Sequence, residues 1–111
     1  MIKVTFTESG NKLSLRLEGH AGYAEHGKDI VCASASILAY TVAQIVTDAE
    51  HNGWLKAPPI VQMDNGDTVI SCEAIDAESY VVMKAMFSFA VRGYALLAQN
   101  YPQYVRVNTL T

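Results

Sequence analysis

Charge is sparse in this sequence. Asp, Glu, Lys and Arg make up 17% of its 111 residues, against about a quarter in an ordinary globular chain. Its 8 basic residues are outnumbered by 11 acidic ones, for a formal charge of −3, and they stand singly from Lys3 to Arg106. Gripping phosphates takes clustered Lys and Arg, so no direct nucleic-acid ligand is expected. Cysteine is also scarce: Cys32 and Cys72 form no CxxC pair and no metal-ligand spacing. No export signal is expected either, because Met1-Ile2-Lys3-Val4 leads straight into a strand pattern without a basic or apolar leader region. Both thiols are therefore expected free, in a reducing cytoplasmic setting. A dinucleotide fingerprint is missing. So is the phosphate-loop pattern, since Gly22 and Gly27 lead into Lys28-Asp29 with no Ser or Thr. No cofactor and no metal is expected.

What is present is apolar. Half of the residues are hydrophobic, and one domain spanning 1–111 of this length buries roughly two-thirds of its unfolded surface. Ile2, Val4 and Phe6 alternate with Lys3, Thr5 and Thr7, and Leu13, Leu15 and Leu17 with Ser14, Arg16 and Glu18. This period of two predicts a hairpin over 2–19, turning at Ser9–Lys12. Gly19–Lys28 reads as a loop. From Asp29 the spacing becomes helical, with Val31, Ala35, Leu38, Val42, Ile45 and Ala49 on one stripe, widened by Ile37, Tyr40, Thr41 and Val46. Asn52-Gly53 and Pro58-Pro59 stop that helix. Its uncharged stretch from Ile30 to Val46 approaches membrane length. Ser34, Ser36, Thr41 and Gln44 dilute it, and a buried helix is the expectation rather than a span.

Ile60–Met63 and Thr68–Glu73 flank Asn65-Gly66, a hairpin signal of the type I′ turn, which needs positive φ twice. Asp76 caps a helix running to about Asn100. One face carries Val82, Met86, Phe89, Gly93, Leu96 and Leu97, and an adjacent one Met83, Phe87, Ala90 and Tyr94. Those Met and Phe residues read as core or dimer surface. Trp54 and Tyr101, beside helix ends, read as packing residues. After Pro102, Tyr104–Val107 reads as an edge strand. The order ββαββαβ predicts an α+β two-layer sandwich. Its sheet of four to five mostly antiparallel strands would carry two helices on one face. The wide apolar arc of the second helix, with so little charge overall, points to a second copy of the chain covering one face.

Chemistry concentrates between Gly19 and Ser36. With Asp29 as N-cap, Cys32 becomes the third helical residue, near the helix's free N–H groups and positive dipole end, where a thiolate is favoured. A thiolate nucleophile also needs a base and an oxyanion site. His20, at the end of a strand, is the candidate base, with His26 in mid-loop as a competitor. Backbone N–H groups around Cys32 and Ala33 are candidate oxyanion donors, and Ser36 lies one turn beyond Cys32 on the same face. His51 at a helix C-terminus and Cys72 in a strand read as structural.

The series Gly19-His20-Ala21, Gly27, Asp29-Ile30-Val31-Cys32-Ala33 and Ser36 resembles the ribosomal-processing cysteine protease (Prp) family. The resemblance implies Cys32 as nucleophile, His20 as general base, and Asp29, Ser36, Gly19 and Ala33 as supporting or substrate-binding positions. It also implies a mobile loop over Ala21–Lys28, with Gly22 and Gly27 within it, that closes on the peptide. By the same resemblance the substrate is the precursor of large-subunit ribosomal protein L-twenty-seven, shortened at its N-terminus, and the enzyme is a cytoplasmic homodimer with no membrane partner. The competing readings are a non-catalytic ribosome-associated binding module and a small thiol-reactive protein. The missing CxxC weakens the latter.

Overall fold

The computed structural model describes residues 1–25 and 27–110, the side chain of Leu110 excepted. Its order is β1 (Ile2–Ser9), β2 (Lys12–Glu18), α1 (Ile30–His51), β3 (Ile60–Asp64), β4 (Asp67–Glu73), α2 (Ala77–Asn100) and β5 (Val105–Leu110). This is the expected ββαββαβ. The last strand starts one residue later than expected and runs three further. The five strands form one sheet in the order β3-β4-β2-β1-β5, antiparallel except for the β1–β5 pair.

Period-two patterning decides which face of the sheet is covered. Val4 pairs with Leu17 and Val107, Phe6 with Leu15, Leu15 with Ile70, and Leu13 with Cys72. These residues are buried apart from half-buried Val107, while Lys3 and Arg16 on the opposite face are exposed. Both helices lie on the apolar face. α1 commits Val31, Ala35, Ala39, Val42, Val46 and Ala49 to the core. Leu38 and Ile45 are only half-buried, and Ile37, Tyr40 and Thr41 face outward, so the true stripe is rotated slightly from the expected one. In α2, Met83, Phe87, Ala90 and Tyr94 are the buried stripe. Val82, Phe89 and Leu96 on the other predicted face are exposed.

By length and composition both helices are apolar enough to cross a membrane, with mean hydropathy of 1.8 and 1.4. Here their small and β-branched residues instead pack on the sheet and on each other. Gly93 allows the close approach: a Cβ there would stand 2.9 Å from Leu38 Cδ1. The buried Tyr94 hydroxyl donates to the Ala35 carbonyl at 2.9 Å, fixing α2 against the second turn of α1.

The β3–β4 connection is the two-residue loop that Asn65-Gly66 signalled, since Asp64 pairs with Asp67. It is not the expected type I′ turn. Only Gly66 has positive φ, at 79°, and among the described residues no non-glycine does.

Candidate active site

The site forms where β2 ends and α1 begins. Asp29 caps α1: its Oδ1 accepts from Val31 N at 3.0 Å and from Cys32 N at 2.9 Å. Its Oδ2 turns back to the preceding loop and accepts from Tyr23 N at 3.0 Å and Ala24 N at 3.3 Å. Asp29 is the one buried charged residue among those described, 8% exposed. Burial pushes its carboxyl upward, but the donors from Cys32, Ala24 and Tyr23, with the Cys32 thiol, outweigh that and hold it below the usual aspartate range.

Cys32 is the third residue of α1, as the cap position required, and is half-buried. The donors expected to face an oxyanion lie elsewhere in the bonding scheme. Cys32 N is taken by Asp29 Oδ1, and Ala33 N donates to the Asp29 carbonyl at 3.0 Å. An Asp cap followed by regular helix uses those N–H groups internally in this structure. The main-chain donor at the sulfur comes from the loop: Ala21 N lies 3.4 Å from Cys32 Sγ. Ala21 itself is buried, 3% exposed.

His20 follows β2 by two residues. Gly19 before it has φ +90°, and a Cβ there would lie 2.5 Å from the Met1 carbonyl oxygen, so only glycine fits. Met1 N donates to the His20 carbonyl at 2.6 Å. The imidazole is exposed, and among the described residues no hydrogen bond joins it to Cys32 Sγ. His26 lies outside the described residues. His51 is exposed at the last position of α1, far along the helix from Cys32.

Two clefts meet at these side chains. One, of about 340 Å³, runs between α1 and the β3–β4 turn and is lined by Ala35, Ala39, Tyr40 and Met63–Thr68. The other, of about 590 Å³, runs beneath the loop, lined by Gly22, Ala24, Gly27, Asp29 and Ala33. His20, Cys32, Ser36 and Asn65 border both. The structure therefore brings His20, Cys32, Ser36, Asp29, Ala33 and Gly22 around two adjoining clefts.

Asn65 and Tyr23 were missed by the sequence reading. Asn65 reaches the site only because β4 pairs with β2 so that Asp67 lies opposite Glu18, a long-range register with no local signal. Tyr23 packs edge-on against Tyr101 and Tyr104, with centroids at 5.6 and 5.2 Å. Cys72, by contrast, is in the core, and burial pushes its thiol up to about 11.

Known proteins share this fold. The family described as cysteine protease Prp matches residues 1–106. The ribosomal processing cysteine protease Prp of Bacillus subtilis is 40% identical over 48 residues, 41% of this chain and 43% of that protein. Its counterpart in Staphylococcus aureus is 23% identical over 109 residues, covering 96% of this chain and 95% of that one. Among solved structures, that of S. aureus Prp with a covalently linked product peptide has a TM-score of 0.77 at 22% identity, covering 98% and 99% of the two chains. SMU.848 from Streptococcus mutans has 0.68 at 29% identity, covering 100% and 95%. With the family pattern running through both hairpins, the helix that carries Cys32 and into the last strand, this chain belongs to the cysteine protease Prp family.

Proposed function

We propose that this chain is an endopeptidase in which Cys32 is the nucleophile and His20 the general base. Its substrate in this reading is the precursor of large-subunit ribosomal protein L-twenty-seven, from which it removes a short N-terminal extension. The observation that carries the reading is the meeting of two clefts at Cys32 and His20. A protease must hold the chain on both sides of the bond it cuts, and a nucleophile at the junction of two clefts meets that need. Complexes of S. aureus Prp with a substrate peptide and with a covalently linked product peptide support a peptide substrate.

In the forward step His20 takes the thiol proton as Sγ bonds to the scissile carbonyl carbon. Ala21 N–H, already at the sulfur, is the donor best placed for the oxyanion. The C–N bond then breaks, and His20 returns the proton to the leaving amine. Water, deprotonated by the same imidazole, hydrolyses the thioester and restores the thiol. Since His20 and Cys32 are not hydrogen-bonded here, peptide binding must bring them within reach. Asp29 holds the loop and the helix start together. Ser36, open to both clefts, and Ala33 contact the peptide, Gly19 admits the turn into His20, and the loop Ala21–Lys28 closes over it.

The reading includes a homodimer, supported by the exposed apolar residues on α1 and α2. It involves no direct nucleic-acid contact, and a ribosomal precursor places the reaction in the cytoplasm. The test is incubation with the extended precursor and mass measurement of the product. Cys32→Ala should abolish cleavage and leave the fold intact. A precursor bound but never cut by the wild-type protein would favour a non-catalytic binding module instead.

A further inference from the structure

The β3–β4 hairpin lies far from the Gly19–Ser36 segment in sequence, yet its tip touches the side chain assigned as the base. Gly19 N donates to the Gly66 carbonyl at 2.9 Å, continuing the β2–β4 ladder past the last strand residue. The imidazole of His20 lies directly over Gly66. A Cβ built there would stand 2.9 Å from His20 Nε2, 3.4 Å from Cε1 and 3.5 Å from Cδ2. Three ring atoms so close to one vacant position mean that the ring occupies the space a side chain would fill. Gly66 also has φ +79°. Two independent consequences thus attach to one glycine: the turn takes its positive φ, and the ring takes the space beside it.

The other hairpin tip separates the two. Gly10, between β1 and β2, has φ +58° and nothing within 4 Å of its Cβ position. It needs glycine for the backbone alone. At Gly66 a Cβ would in addition push the exposed His20 ring aside.

We infer that Gly66 is a positioning residue for His20, the β3–β4 turn being the seat that sets where the imidazole stands relative to Cys32. Asn65, beside it and bordering both clefts, makes the same turn one wall of the peptide groove. The seat and the groove wall are therefore the same two-residue loop, and substrate pressing on the wall bears on the base. A local triad partner, by contrast, would orient the ring by a hydrogen bond.

This inference rests on His20 being the general base, and three variants separate the two claims. Gly66→Ala and Gly10→Ala impose the same kind of positive-φ strain, so both should lower thermal stability. Only Gly66→Ala should lower kcat on a peptide spanning the precursor's cleavage junction. A displaced base costs on the order of a hundredfold, and KM should change little. Equal kcat values for the two glycine variants overturn the seat. If His20→Ala keeps wild-type kcat, the base assignment itself is wrong, whatever the glycine variants do. Should Gly66→Ala fail to fold, NMR on Cys32→Ala protein loaded with that peptide provides the test. Nuclear Overhauser contacts between the Gly66 α-protons and the His20 ring protons are expected, and their absence overturns the inference.

Discussion

Asp29 serves four main-chain N–H groups with one carboxylate, two from the start of α1 and two from the loop before it. Each half of that bonding has a separate consequence. The α1 half caps the helix that presents Cys32. The loop half keeps residues 21–24 where Ala21 N can reach the sulfur. Replacing Asp29 by Ala should cost about 1–2 kcal/mol from the cap. It should also lower activity beyond what stability explains, because the loop donor is released. The carboxyl is depressed in the folded state, so its contribution is complete above the ordinary aspartate value of about 3.9. It fades as pH falls below that through the depressed value. Chemical denaturation of wild type and Asp29→Ala across acid pH should show the stability gap closing below pH ~4. A gap that stays constant down to the lowest pH would assign the loss to packing instead of charge.

At the scale of elements, the loop between His20 and Cys32 is held unevenly. Its first part is tied by Asp29 and by Tyr23, whose ring stands edge-on to Tyr101 and Tyr104 where α2 passes into β5. Tyr23→Ala should therefore speed hydrogen exchange at the Tyr23 and Ala24 amides and raise KM, while Tyr23→Phe should keep both near wild type. Unchanged exchange in Tyr23→Ala would assign the hold on those two amides to Asp29. The elements themselves were legible in the sequence because period two and period 3.6 are local signals. Asp29 as cap and Cys32 as third helical residue followed from the same local rules. Tyr23 and Asn65 were not legible, since aromatic docking and β2–β4 register arise only once distant segments meet. The bonding of the first N–H groups of α1 was not legible for a related reason: a cap that satisfies the helix also occupies N–H groups that the dipole argument leaves free.

For the whole molecule, the accessible surface is 6557 Å², against about 6,000 Å² for a compact chain of this size. Several large apolar side chains stand exposed on the outer helix faces. Phe89 is 80% exposed and Leu96 54%, with Ile37 and Tyr40 outward on α1. Phe89→Glu should convert a sedimenting dimer to a monomer without lowering the helical content, because so exposed a residue adds little to its own core. A wild-type protein that sediments as a monomer at micromolar concentration would remove the dimer from the proposal. The sheet order has a consequence of another kind, in time. Both hairpins join neighbours in sequence, whereas β1 waits for β5 from the far end of the chain, Ile2 beside Val105. Closing so long a loop is entropically late. Until then β1 is a bare edge beside an apolar face, the moment at which a folding chain is most open to sticking to its neighbours. Val105→Ala should accordingly quicken unfolding and leave the refolding rate nearly unchanged. A slowed refolding limb would put the last strand in the nucleus. The β3–β4 turn, one wall of the groove, would then be in place before the molecule has finished closing.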